Sequence, residues 1–296
     1  MLRPYQTSDL PALKRFIGEN WKRDKFTNYH PSDFVHWMND GHLGEKLEQH
    51  FHVVEEAGQI IAVVHLDAKS GMCCPVMDTS KRGMAWELEF HRAYIAKMTE
   101  LMRDVENNTL LISFVEGDTI AKGFLEQLGL KGEKSDYVQN KHSLDTIPEI
   151  TLPDGFSIRS VVGEHEAQKL ADVHNGAFGP KWDEGMYRKV MQAPGYDTER
   201  ELVVVAPDGR FAAFAIIWFD SISRSGLFEP VGCHSDFRRN GLTKALMFEG
   251  MKRMKAEGME VAYVGCESEV ACKFYKAVGF ETYFETIDYT LELESI

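Results

Sequence analysis

The stretch EPVGCHSDFRRNGLTKAL, from Glu229 to Leu246, sets adjacent arginines, an asparagine and a glycine at one junction. Before it, LFEPVGC reads as a strand interrupted by Pro230 and Gly232. Neither residue suits a regular central ladder, and Gly232 is the expected place of a bulge. After it, Leu242, Leu246, Met247, Met251 and Met254 recur at helical spacing as far as Gly258. Gly241 lets a ligand approach the backbone. The first turn of a helix offers unpaired N–H groups that hold anions. Arg238 and Arg239 add charge-assisted hydrogen bonds. Together these are the parts of a pyrophosphate cradle. On composition alone, an exposed basic turn leading into a helix is the alternative.

Two halves of similar plan must position that junction. MLRPYQTSDLPALKRFIGENW and FSIRSVVGEHEAQKLADVHNGAF each read as strand, polar turn and helix. Each half continues with strands split by a turn, at Ala57-Gly58 and at Pro207-Asp208-Gly209. TIAKGFLEQLGL and EVACKFYKAVGF align without a gap, Ala121 with Ala271, Phe124 with Phe274 and Gly129 with Gly279. The order β-α-β-β-β-α-β-α-β, written twice, predicts an α/β or α+β architecture. Residues 1–145 and 156–296 are the expected domains, and the proline-containing segment 146–155 is the expected linker.

Two ordered motifs in the second half carry a family resemblance, over about residues 156–290. Residues 229–246 resemble motif A of the GCN5-related N-acetyltransferase (GNAT) superfamily, Gln/Arg-x-x-Gly-x-Gly/Ala after a strand. Arg238 and Gly241 stand at its arginine and glycine, and Thr243 replaces the final Gly/Ala. Ala271-Cys-Lys-Phe-Tyr275-Lys-Ala-Val-Gly279-Phe280 resembles the family's second signature. Ser268 holds the place of an asparagine that usually precedes the tyrosine by seven residues. The resemblance implies tandem acyl-CoA N-acyltransferase domains, each a mixed, mainly antiparallel sheet flanked by helices, with acetyl-CoA between two splayed strands. It implies that the backbone of Val231, Gly232 and Cys233 pairs with the pantetheine arm. The N–H groups of Arg238, Arg239, Asn240, Gly241, Leu242 and Thr243 would hold the pyrophosphate, with Ser268 beside the arm. The first half lacks motif A near ELEFHRAYIAKM, has Leu125 where the second has Tyr275, and reads as a degenerate copy. Its sole candidate cradle is SKRGM, Ser80 to Met84.

The implied activity is acetyl transfer from acetyl-CoA to a primary amine, expected to belong to a small molecule. An alkyl amine, with pKa near about 10, must lose a proton before it attacks. The departing thiolate must gain one. Tyr275 is the expected general acid, a phenol still protonated at neutral pH. Its alternative is a core tyrosine. Glu229 is the expected base, directly or through a water, and its alternative is a solvated strand-end carboxylate. The amide of Cys233 is a candidate to hold the oxyanion. Trp182, Asp183, Glu184, Tyr187 and Tyr196 follow the half's first helix and contain the makings of a slot for a cationic amine, with Trp182 and Tyr187 as its aromatic walls. An ordinary amphipathic helix is the alternative there. A non-catalytic acyl-CoA-binding or interaction module and a protein or peptide N-acetyltransferase are the competing functions.

Composition narrows the field. A net charge of −13, with both halves acidic, argues against nucleic acid. The longest apolar run, Phe211 to Phe219, is too short for a membrane helix, and MLRPYQTSDL has no leader-like core. The five cysteines, Cys73, Cys74, Cys233, Cys266 and Cys272, include no CxxC pair. Free thiols in a reducing cytoplasm are expected. His50 and His52 flank Phe51 and could share a strand face, but no metal site is expected there.

Overall fold

A computed structural model describes residues 1–23, 26–42, 44–149, 151–193 and 196–293. The chain runs β1 (Leu2–Pro4), α1 (Leu10–Arg23), α2 (Pro31–His36), α3 (Leu47–His50), β2 (Phe51–Glu56), β3 (Gln59–Asp67), β4 (Met72–Met77), α4 (Ala85–Leu101), β5 (Thr109–Val115), α5 (Thr119–Gln127) and β6 (Lys131–Ser143). It continues β7 (Ser157–Ser160), α6 (Ala167–Phe178), α7 (Glu184–Met191), β8 (Glu201–Val205), β9 (Phe211–Asp220), β10 (Ser225–Cys233), α8 (Leu242–Ala256), β11 (Val261–Cys266), α9 (Glu269–Val278) and β12 (Glu281–Glu292). The mixed α/β plan expected from sequence is present twice, with α2, α3 and α7 added to it. Among the described residues no helix is long and apolar enough to cross a membrane.

Two compact units form. One holds Met1–Phe34, Glu45–Val138 and Thr282–Ile296, and the other holds Val35–Gly44 and Gln139–Glu281. The last strand of the sequence therefore belongs to the unit built by the first half. In that unit β1, β2, β3 and β4 pair antiparallel in order. β5 joins β4 in parallel at only two positions, and β12 lies antiparallel on β5 from Thr286↔Val115 to Glu292↔Thr109. Leu66, Tyr94, Met98, Leu110 and Ile112 fill its core, with Tyr289 of β12 among them.

In the second unit β7, β8, β9 and β10 pair antiparallel. β10 and β11 run parallel only from Ser225↔Val261 to Leu227↔Tyr263 and then part. Apolar residues along both faces of β9 explain its burial, since helices cover a sheet strand of that kind. The α8 stripe forms as its spacing predicts, with Leu242, Leu246, Met247, Met251 and Met254 all buried. Each such side chain contributes about 1.5–3 kcal/mol when fully buried. The matched helices α5 and α9 close alike. Leu130 N–H donates to Leu125 O and Phe280 N–H to Tyr275 O, both at 3.0 Å, past glycines at positive φ.

The expectation of free thiols is corrected at one pair. Cys266 and Cys272 form a disulfide, which leaves Cys73, Cys74 and Cys233 free. The turn from β11 into α9 brings the two together, a proximity that a spacing of six does not announce.

Candidate active site

The site is built where β10 and β11 part. His234 N–H donates to Ala212 O, which makes 234/212 a hydrogen-bonded pair of the β9–β10 ladder. Pairs alternate, so the N–H groups of Cys233 and Val231 face away from β9, toward the opening. Gly232 lies between them for steric reasons. A Cβ there would sit 2.4 Å from the Phe214 ring and 2.9 Å from Ala177 of α6. The bulge itself lies two to three residues before the glycine that suggested it. Phe228 opposes Ile217 and Val231 opposes Ala215, so Glu229 and Pro230 share the single partner position of Ile216.

Beyond β10 the chain turns through left-handed conformations at Arg239 (φ 66°) and Gly241 (φ 73°). A non-glycine residue held there is strained, and such strain collects at ligand sites. Gly241 is the N-cap of α8 and supplies no capping side chain, and a Cβ there would meet open space. The first backbone bond of α8 is Ala245 N–H to Gly241 O, so the amides before it are the unpaired set of a helix start. Left-handed turns of this kind make anion-binding concavities. The residues present thus fit a phosphate.

The two arginines divide their work. Arg238 braces the turn, donating through Nη2 to Ala177 O at 2.9 Å and through Nε to Cys233 O at 3.3 Å. Arg239 is exposed on the turn. Asn240 Nδ2 donates to Phe237 O at 3.2 Å and stiffens it. Burial raises the pKa of the Cys233 thiol, while Thr243 and the charge of Arg238 pull it the other way. Leu242 is buried and anchors the helix start.

Across the opening, Ser268 caps α9, its Oγ accepting from Ala271 N–H at 3.2 Å. Tyr275 lies on the buried face of that helix, against Phe274 and Phe280. Burial raises its pKa well above the ordinary phenol value, and the charge of Glu229 raises it further. The phenol is therefore protonated throughout the neutral range.

The expected slot after α6 does not gather as such. Asp183 caps α7 through Met186 N–H at 2.8 Å, and Glu184 pairs with Arg188 at 2.6 Å. Tyr187 is 1% exposed, so it is a core residue and not an exposed wall. Its hydroxyl and that of Tyr196 both donate to buried Glu201, and His174 Nε2 stands 3.0 Å from the Tyr187 hydroxyl. Of the two expected aromatic walls, only Trp182 keeps a partly exposed face. Asn175 fixes it by accepting from Trp182 N–H at 2.9 Å and donating to Trp182 O at 2.7 Å. Sequence reasoning did not find Asn175, and an asparagine near a helix end is the one signal it left.

The first half treats the corresponding turn differently. Arg82 donates to Glu87 at 2.8 Å and to Asp118 at 3.0 Å, and Gly83 N–H donates to Glu87 at 2.7 Å. Glu87 and Asp118 are buried. An internal carboxylate thus occupies the place an anion would take in SKRGM. The second half has Lys244 at the matching helical position, with Nζ 3.0 Å from Ala277 O. Where β4 and β5 part, Asn28 Nδ2 donates to Ser113 O.

Residues 167–280 match the family model described as Acetyltransferase (GNAT) family. The second half belongs to that family. GNAT proteins use acyl-CoA. The chain is 28% identical over 151 residues to a mycothiol acetyltransferase of Paenarthrobacter aurescens (strain TC1), covering 47% of this chain and 46% of that protein. The match therefore spans about half of that relative's length. A mycothiol acetyltransferase of Saccharomonospora viridis is 24% identical over 255 residues, covering 79% of this chain and 80% of its own. A tandem GNAT protein from the clavulanic acid biosynthesis pathway superposes with a TM-score of 0.67 at 14% identity, over 99% of this chain and 98% of its own. The whole chain thus has the tandem GNAT fold, while the family model matches the second half.

Proposed function

We propose that the second half transfers the acetyl group of acetyl-CoA to the primary amine of a small molecule, and that the first half is a degenerate copy without a working site. Val231 and Cys233 offer their cleft-facing amides to the pantetheine arm. The amides from Arg239 to Thr243 hold the pyrophosphate, with Arg239 supplying charge and Arg238 keeping the turn in shape. Ser268 fixes the start of α9 beside the arm. Glu229 accepts the proton of the incoming ammonium, directly or through a water, so that the free amine attacks the thioester carbonyl. The Cys233 amide steadies the oxyanion. Tyr275 donates its proton to the departing sulfur, the acylated nitrogen gives up its second proton and so restores the phenol, and Trp182 lines the acceptor side.

The observation that carries this reading is Tyr275, a phenol kept protonated by burial and by the charge of Glu229. A protein that only bound acyl-CoA would have no need of it. Similarity to two mycothiol acetyltransferases supports a small-molecule acceptor. The closure of SKRGM by Glu87 supports confinement of the chemistry to the second half.

Release of free thiol from acetyl-CoA, measured with a panel of amines, tests the reading. Tyr275→Phe is expected to lower kcat by about 100-fold, the lower end for a lost general acid, with acetyl-CoA affinity within about twofold. An unchanged kcat where chemistry limits turnover would remove Tyr275 from the mechanism. Binding without turnover across the panel would favour the acyl-CoA-binding module.

A further inference from the structure

We infer that Trp218 is a positioning residue for Glu229, holding the β10 bulge so that the carboxylate is presented to the cleft; this deepens, and rests on, the reading of Glu229 as proton acceptor. The bulge removes Glu229 and Pro230 from regular pairing with β9. Pro230 has no N–H to give, and a part-buried carbonyl outside the ladder is stabilised by a donor from elsewhere. Trp218, on the neighbouring strand, fills the gap. Its indole N–H donates to Glu229 O at 2.6 Å.

The clamp is rigid at both ends. Trp218 is 5% exposed, opposes Leu227 in the ladder, and meets the edge of the His36 ring at 5.8 Å between centroids. An indole nitrogen is a donor only, and the planar ring points it in one direction. Fixing the Glu229 carbonyl fixes the peptide plane that follows Glu229, and between that plane and the paired residues of β10 it narrows the ψ rotation through which the Cα–Cβ bond turns. Loss of that hold loosens the irregular pair of residues and lets the carboxylate turn away from the cleft. Tyr275 senses the Glu229 charge, consistent with a carboxylate kept on the cleft side.

Trp218→Phe keeps most of the ring volume and deletes the donor. Replacement by benzothienylalanine keeps the full shape and deletes only the N–H, and it serves should the phenylalanine variant misfold. Either is expected to lower kcat at least about tenfold while KM for acetyl-CoA stays within about twofold, because the α8 turn and the Val231 and Cys233 amides are untouched. Combined with Glu229→Gln, the change is expected to cost nothing further, since both act through one carboxylate. A kcat within twofold of the parent, or a loss that multiplies with that of Glu229→Gln, overturns the inference. A crystal structure of the variant decides it independently of turnover. Displacement of the Glu229 side chain from Tyr275 supports the clamp, and an unmoved side chain overturns it. If the parent protein acetylates no amine, the acetyl-transfer reading fails on that result, and the crystal structure still decides the role of Trp218.

Discussion

At the scale of single residues, what could be read in advance depended on where each partner lies. The places of Gly241 at the start of α8 and of Tyr275 on α9 were legible in advance, because a helix start and a helix face are local. The bracing role of Arg238 was not, since its acceptor Ala177 O lies 61 residues away. Nor was the closing of SKRGM, which needs Asp118 brought to Arg82 by the fold. Burial likewise sets protonation in ways composition hides. His30 is fully buried, and burial pushes its pKa down to about 3. Its Nδ1 accepts from Ser32 N–H at 3.1 Å, which a doubly protonated ring is unable to do. An unfolded histidine titrates near about 6.5, so the unfolded chain takes the proton first as pH falls. The His30 contribution to stability is therefore complete above about pH 6.5 and erodes below it, until the folded ring protonates near about 3. The expected slope from this one group is about 1.4 kcal/mol per pH unit. Urea unfolding between about pH 7 and about pH 5 measures it. His30→Asn, which can still accept from Ser32, is expected to flatten the dependence by that amount. An unaltered slope would show that other groups carry the acid sensitivity.

At the scale of elements, boundaries were more readable than tethers. The closing glycines of α5 and α9 appear where the sequence sets them, because a left-handed C-terminal residue is a local demand. Pro230 and Gly232 announced an irregular β10, although the two-for-one pairing falls at Glu229 and Pro230. The Cys266–Cys272 bridge was not visible, because it requires the turn between β11 and α9 to bring the Cα atoms to 5.6 Å. That turn also contains Ser268, and Tyr275 lies three residues after Cys272 on the same helix. The bridge thus ties the helix bearing the proposed acid to the strand lining the cleft. Asn140 Nδ2 stands 3.3 Å from Cys266 Sγ and steadies the strand side. For so short a loop the chain-entropy contribution is about 2 kcal/mol. Cys272→Ser, compared with the parent under oxidising conditions, is expected to lose that much stability in denaturant unfolding, and a reductant is expected to bring the parent down to the variant. Equal stability before reduction would mean the loop is held by its caps and packing alone.

At the scale of the whole molecule, duplication was readable from the ungapped match of residues 119–130 with 269–280, whereas the partner of each strand was not. Alternation along a strand says which face is buried and is silent about which neighbour it takes. β12 closes the second half of the sequence yet pairs with β5 along Thr109–Val115 and puts Tyr289 into the core of the first unit. In the same way, Val35–Gly44 comes early in the chain and belongs to the second unit. A cut at the sequence linker therefore does not yield two complete units. A fragment of residues 1–145 has β5 with no β12 on it, leaving an open row of backbone donors and acceptors and an unfilled place in the core. Open edges of this kind pair with other chains. The fragment alone is expected to aggregate or to unfold without cooperativity. Adding a peptide spanning Glu281 to Leu293 in trans is expected to restore a cooperative transition, with a midpoint that rises with peptide concentration as linkage requires. Sedimentation and circular dichroism distinguish the outcomes. Should the fragment unfold cooperatively as a monomer without the peptide, and ignore the peptide when it is supplied, β12 would be an ornament of the first unit and the fold would be divisible at its linker after all.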